Sequence, residues 1–274
     1  MKKRILAGML SLLLLLLPLS ACATDKDTLF ITVLDVGQGD CLLLSYAGEH
    51  LLIDTGSAVS RDRLLGELSR LGIKDLDAIL VTHPHEDHYG NVGMLLETRT
   101  VGALFLAERP GEELGYELML ARAMACGVET KTLTDGTTFS FNGVICEAFC
   151  PIPDDPDLNN AGIVLRVRYG ESVLLFMGDA EWTAERALLS RNEDWKCDFL
   201  KVGHHGSKTA CSELFLQAVA PTVAAISCAV DNDYGFPHEE VLQGLDQIGV
   251  AVYRTDERGT LRFICDGTRV VYEE

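Results

Sequence analysis

Positive charge is what this sequence most lacks. Its 274 residues hold 23 Lys and Arg against 41 Asp and Glu, a formal net charge of −18. A surface of that sign repels polyanions at long range and argues against tight, non-specific binding to nucleic acid, which depends on neutralising phosphates. Metal-knuckle spacing is missing too. There are nine cysteines, yet no Cys-x-x-Cys pair, so neither a zinc knuckle nor a disulfide-dense scaffold is indicated. Most lie in apolar runs, as Cys41 does before Leu42-Leu43-Leu44, and read as small buried hydrophobes. An occasional disulfide stays open for an exported chain. No internal repeat, low-complexity tract or linker follows residue 28, and 47% of the residues are hydrophobic. One large globular domain over residues 29–274 is the economical expectation.

A run long enough to cross a bilayer is absent as well. Ile5 to Leu17 is apolar but too short for a mature membrane helix. Preceded by Lys2, Lys3 and Arg4, it fits the central region of a secretory signal. Leu19-Ser20-Ala21-Cys22 resembles the bacterial lipoprotein cleavage box. The expectation is a signal peptide over residues 1–21, a lipid on Cys22 and a short tether over 22–28. The mature protein would then be exported, a monomer held to the outer face of the cytoplasmic membrane or released outside. A cleaved signal without lipid and an uncleaved anchor are the alternatives. Removal of residues 1–21 takes away three basic residues and no acidic ones, leaving 20 against 41, a net charge of −21.

Strand-like runs at Leu29–Val36, Cys41–Tyr46 and Leu51–Asp54 come first, separated by Gly-containing turns. A helix over Arg61–Leu71 is stopped by Gly72. The strand Ala78–Thr82 leads into a helix over His88–Leu96. Strands and helices then alternate to the end of the chain. They include strands Ile163–Tyr169 and Val173–Met177, helices Glu181–Leu189, Ser212–Val219 and His238–Ile248, and last strands Ala251–Arg254 and Leu261–Ile264. Meandering strands followed by alternation imply a mixed α/β protein with helices covering sheets.

The segment that carries chemistry is Thr82-His83-Pro84-His85-Glu86-Asp87-His88. Three histidines and two acids follow an apolar strand directly, at the carboxyl end where α/β folds place their sites. Imidazole and carboxylate are the donors a borderline divalent metal takes, and alternate residues of an extended loop can converge on one ion. A structural histidine is usually isolated, so packing alone is a poor account of this cluster.

These residues resemble the H-x-H-x-D-H signature of the metallo-β-lactamase fold superfamily. Asp54 in Ile53-Asp54-Thr55-Gly56 and Asp179 after Val173–Met177 match further motifs of that family in order. Asp35-Val36-Gly37-Gln38-Gly39-Asp40, Asn159-Asn160 and Lys201-Val202-Gly203-His204-His205-Gly206-Ser207-Lys208 narrow the resemblance to the hydrolase domain of ComEC-type competence proteins. The resemblance covers residues 29 to about 272 and implies a four-layer αββα sandwich. It also implies two divalent ions, zinc or manganese. His83 and His85 would hold one ion and Asp87 and His88 the other, with Asp179 bridging and His205 completing the second. Asp54 would orient a ligand histidine, and His204 would stand behind the ligands because it cannot easily point the same way as His205.

The chain departs from that pattern twice. Asn159-Asn160 stands where most of the superfamily has a histidine, which weakens the first metal position. Phe236 in Tyr234-Gly235-Phe236-Pro237-His238 replaces another histidine. His238 is open to three readings: a substitute for the lost group, a general acid, or the start of a helix. Lys208 and Ser207 are candidates to meet substrate, although a solvated lysine is commoner. Gly37-x-Gly39 lacks the rest of a nucleotide fingerprint and reads as a tight turn. His50, away from other ligands, reads as structural.

The function this implies is a metal-dependent phosphodiesterase or nuclease, with a water activated between two metals as nucleophile. Asp87, His238 and Asp54 are the candidate catalytic side chains. Nucleic acid, if taken, would be bound weakly, by a local patch of Lys201, Lys208, Arg166 and Arg168. The rivals are a cell-surface hydrolase of another ester, amide or small phosphodiester, such as a wall-polymer substituent, and a metal-stabilised binding protein without turnover.

Overall fold

The computed structural model describes residues 28–274. The signal peptide, Cys22 and nearly all of the tether therefore lie outside the described residues. Among the described residues no helix is long and apolar enough to cross a membrane.

Fifteen strands are described: β1 (Leu29–Val33), β2 (Leu42–Tyr46), β3 (Glu49–Ile53), β4 (Asp75–Val81), β5 (Thr100–Ala107), β6 (Glu129–Leu133), β7 (Thr137–Phe141), β8 (Val144–Phe149), β9 (Val164–Tyr169), β10 (Ser172–Phe176), β11 (Phe199–Lys201), β12 (Val223–Ile226), β13 (Ala251–Arg254), β14 (Leu261–Cys265) and β15 (Val270–Glu273). The helices are α1 (Arg61–Arg70), α2 (Glu86–Tyr89), α3 (Val92–Thr98), α4 (Leu114–Ala125), α5 (Trp182–Leu189), α6 (Glu213–Val219), α7 (Glu239–Gln247) and α8 (Thr255–Arg258).

The strands form two mixed sheets. One has eight strands in the order β15-β14-β1-β2-β3-β4-β5-β6, the other seven in the order β13-β12-β11-β10-β9-β8-β7. Strand periodicity explains how they stack. In β2 and β3, Leu42, Leu44, Leu51 and Ile53 face the second sheet, while Leu43 and Leu52 face outward under α1. Both faces of the central strands are therefore apolar, as expected when a sheet is covered on each side. One core lies between the sheets, centred on Phe176, Phe199 and Phe263. A second lies under α1, α3 and α4, and a third under α5, α6 and α7. The layers run helix, sheet, sheet, helix, which is the αββα sandwich the motifs imply.

Two local readings needed correction. The helix expected over His88–Leu96 is two short helices, α2 and α3, separated at Asn91. Asn91 is buried and its Nδ2 donates to the carbonyls of Thr55 (2.9 Å) and Ser57 (2.7 Å). That side chain ties the loop after β3 to the histidine segment, and the helix breaks to let it. The last strand, β15, was unread. It buries Val270, exposes Val271 and pairs antiparallel with β14. The eight described cysteines are all free, seven buried and Cys126 exposed.

In both sheets the strands nearest the site run parallel: β3 with β4 and β5, and β10 with β11, β12 and β13. Their carboxyl ends come together at one edge of the sandwich, which is where the chemistry-bearing side chains gather.

Candidate metal centre

Most of the cluster stands just beyond the ends of these parallel strands, with Asp87 and His88 on α2. Asp54 follows β3, His83 follows β4, Asp179 follows β10, and His204 and His205 follow β11. A Cβ on Gly39 would fall 2.4 Å from the Asp87 carbonyl, so only glycine lets the loop after β1 approach the metal segment. The Asp40 N–H then bonds that same carbonyl at 3.2 Å. The Gly37–Gly39 turn serves this close approach.

Asp179 is the hub. Its Oδ2 lies 3.3 Å from His88 Nε2 and 3.7 Å from His83 Nε2, and its Oδ1 lies 3.6 Å from His205 Nε2. Asp87 Oδ2 is 3.3 Å from His205 Nε2 and 3.8 Å from His88 Nε2. Ligand atoms of Asp87, His88, Asp179 and His205 all lie within 4.8 Å of one another. His85 joins from the other side, its Nδ1 3.0 Å from His83 Nε2.

The histidines are aimed by their other nitrogens. His88 Nδ1 donates to Asp54 Oδ2 at 2.9 Å, and Asp54 is held by the Thr82 N–H and hydroxyl, each at 2.8 Å. His205 Nδ1 donates to the Ser227 carbonyl at 3.0 Å and lies 3.3 Å from Asp40 Oδ1. In that tautomer each ring turns a bare Nε2 inward. His88 Nε2, His205 Nε2 and Asp179 Oδ1 are buried and have no hydrogen-bond partner. Buried polar atoms are rarely left so. Two imidazole nitrogens and a carboxylate oxygen left without partners, with the Asp87 carboxylate beside them, fit a divalent ion.

Charge follows the same geometry. Burial opposes a charged imidazole at His205, but Asp179 and Asp40 outweigh it and raise the group to about 10. His88 is likewise buried, yet Asp179, Asp54 and Asp87 lift it well above its ordinary value. Burial would raise Asp87, but the neighbouring His88 and His205 hold its carboxyl far down. Burial pushes His83 well below its ordinary value. Without metal, protons on His88 and His205 balance the carboxylates, and a bound cation would take their place.

Several expected members fall elsewhere. His204 does reach the hub, contrary to expectation. It and His205 both adopt left-handed backbone (φ 46° and 53°), which lets both rings face Asp179, His204 Nε2 at 3.8 Å. Its Nδ1 pairs with Glu181 Oε1 at 3.0 Å. Asn160 Oδ1 accepts from the N–H groups of Glu181 and Ala184, each at 3.2 Å, and so caps the start of α5. Asn159 Oδ1, by contrast, is buried without a partner. His238 immediately precedes α7, and its Nδ1 accepts from the Lys208 N–H at 3.1 Å. Ser207 bonds Thr209. Lys208 is exposed and lines a different groove, with Trp182 and Glu240. His50 bonds Ser45, far from the cluster.

The basic patch does not form. Lys201 is fully buried, its Nζ 2.7 Å from Asp40 Oδ2. Arg166 is buried between Glu147 and Glu193 and over the rings of Phe149 and Trp195, and Arg168 also pairs with Glu147. Residue type fixed neither direction nor partner, and strand alternation turned Lys201 inward. The role of Asp40, which closes the Asp35–Asp40 motif, is not evident from the motif alone. Its place directly after Gly39, in the loop that leads into β2, was the signal for it. A cleft of about 690 Å³ opens beside the cluster, and Asp87 lines both.

The family described as Metallo-beta-lactamase superfamily matches residues 34–124 and 156–230. The chain is 32% identical to ComE operon protein 3 of Bacillus subtilis (strain 168) over 252 residues, 85% of this chain and 32% of that protein. It is 31% identical to Competence protein ComA of Neisseria gonorrhoeae, over 88% of this chain and 33% of that protein. The chain thus spans about a third of the length of these curated relatives. The crystal structure of the metallo-beta-lactamase fold protein YhfI from Bacillus subtilis shares the fold. Its TM-score is 0.59 at 12% identity, covering 85% of this chain and 99% of that one.

Proposed function

The chain belongs to the metallo-beta-lactamase superfamily, and from that premise we propose that it is a metal-dependent phosphodiesterase working at a two-ion centre. One observation carries the reading. Four ligand side chains converge within 4.8 Å, with buried, unpartnered donor atoms, at the end of an open cleft. Asp87, His88, Asp179 and His205 would hold one ion, with His83 and His85 holding the other and Asp179 between them. Two bound divalent ions would acidify a shared water and neutralise the charge that builds on an oxyanion.

The chain's own residues prepare that chemistry. Asp54, fixed by Thr82, sets the His88 ring. Asp40, fixed by Lys201 and by the Ser227 hydroxyl (2.5 Å), supports His205. Asp87 keeps a third of its side chain exposed while the histidines behind it are buried, so substrate meets the cluster at Asp87. The preference for a phosphodiester rests on the ComEC-type motifs at Asp35–Asp40 and Lys201–Lys208. A net charge of −18 favours short substrates over long polyanions.

The test is a hydrolysis panel of phosphodiesters, carboxylic esters and amides with added Mn²⁺ or Zn²⁺. Phosphodiester cleavage that disappears on chelation and in Asp179→Asn supports the reading. Turnover of carboxylic esters or amides alone overturns it in favour of another surface hydrolase. Stoichiometric metal with no turnover on any member overturns it in favour of a binding protein.

A further inference from the structure

We infer that Tyr234, stacked on Phe236 at the mouth of the metal centre, is a platform for an unpaired nucleobase, and that the cleft therefore takes base-bearing phosphodiesters by a free end. This rests on the phosphodiester reading above and adds the group that lies beside the scissile phosphate.

The two rings are 5.2 Å apart and nearly parallel, at 13°. Phe236 in turn lies 6.0 Å from the His205 ring and 5.5 Å from the His204 ring. An aromatic file therefore leads from the cluster outward and ends on Tyr234, which is 64% exposed. Phe236 is fixed, since Asn232 Oδ1 accepts from its N–H at 2.9 Å and Asn232 Nδ2 donates to its carbonyl at 2.7 Å. One face of Tyr234 is thus backed by an anchored ring and the other is bare. A bare ring at a site mouth exposes apolar surface at a cost in water.

The rest of the cleft argues for what covers it. Val59 (95% exposed) and Val230 (66% exposed) line the same cleft as Tyr234, so the rim is apolar where a base would lie. Arg63 is the one cation lining it among the described residues, against Asp35, Glu86 and Asp87. Its guanidinium gives one N–H to Asp35 at 3.3 Å and is otherwise open. That balance suits one phosphate beyond the centre and repels a train of them. A base inside a duplex has both faces occupied by its neighbours, so a base can lie on Tyr234 only when it is unpaired or at a free end.

The experiment compares two short single-stranded oligonucleotides with the same backbone, one with bases and one abasic. Binding is read by fluorescence anisotropy and cleavage by product analysis, on the metal-loaded protein. The wild type should bind the base-bearing strand roughly ten-fold more tightly, the scale of one stacked base. Tyr234→Leu should lose that margin while binding the abasic strand unchanged. Tyr234→Phe should keep the margin. Arg63→Gln should weaken both strands alike. Equal binding of the two strands by the wild type, or a margin that survives Tyr234→Leu, overturns the platform even if cleavage is seen. A margin that is lost in Tyr234→Leu while neither strand is cleaved supports the platform and counts against the phosphodiesterase reading.

Discussion

The two halves of the centre are unequally furnished. On one side, Asp87, His88, Asp179 and His205 bring four ligand atoms within 4.8 Å of one another, and each ring is aimed by a carboxylate or carbonyl behind it. On the other, His83 and His85 face each other at 3.0 Å, and His83 reaches Asp179 at 3.7 Å and packs against the His88 ring. The asparagine pair that follows gives this side little. Asn160 is spent on capping α5, and Asn159 is left with a buried, unpartnered oxygen. An amide oxygen is a poorer ligand for zinc than imidazole and shifts relative preference toward manganese or magnesium. A centre built this way should hold one ion tightly and exchange the other.

The hardest break of that comparison is at the shared residue. Asp179→Asn should empty both halves and lower turnover by roughly 10⁴-fold or more, because ligands of one centre act as a unit. His85→Ala should remove only the second ion, leaving one per chain by elemental analysis. Equal metal content in the two variants would erase the distinction between the halves.

Support behind the tight half comes next. Lys201→Met removes the buried cation paired with Asp40, and breaking a buried pair costs about 3–5 kcal/mol in a urea melt. Asp40→Asn should weaken metal binding by roughly 10–100-fold, the usual effect of losing a carboxylate behind a ligand histidine. Metal affinity unchanged in Asp40→Asn would show that the Ser227 carbonyl alone aims His205.

pH separates the charged from the metal-loaded state. In the metal-free protein His205 is raised from 6.5 to about 10. A raised histidine contributes stability that is complete below 6.5 and lost as pH climbs through about 10. The melting temperature of chelated protein should therefore fall between pH 7 and 10. The metal-loaded protein, with that proton displaced, should fall less. A chelated protein whose melting temperature rises over this interval would contradict the charge pattern.

The smallest effect distinguishes the neighbouring asparagines. Asn160→Ala should cost about 1 kcal/mol as a lost cap and leave metal content unchanged. Asn159→Ala should leave stability nearly intact and loosen the weaker ion further. The reverse pattern would exchange their roles.

How far the sequence revealed this depended on whether a residue acts through its order in the chain or through its direction in space. The mixed α/β class was legible because meandering strands give way to alternating strands and helices, while the αββα layering came from the family resemblance. His83, His85, Asp87 and His88 could be singled out because six positions hold five donors, and Asp54, Asp179 and His205 because they match the family's motifs in order. Direction was another matter. Lys201 and Arg166 lie on strands with cationic side chains, and nothing local said that both point to buried carboxylates. Nor did spacing show that consecutive left-handed residues would turn His204 and His205 toward the same aspartate. Asn91 broke a helix through bonds to a loop more than thirty residues earlier, which no window around it contains.

The account stands most directly on the inequality of the two halves, and calorimetric titration of Mn²⁺ into fully chelated wild-type protein measures it. Two steps are predicted, one tight and one weaker by at least about ten-fold, with only the tight step releasing protons from His88 and His205 at pH 7. A single step of two equal ions, or a lone ion that survives in Asp179→Asn, would contradict it.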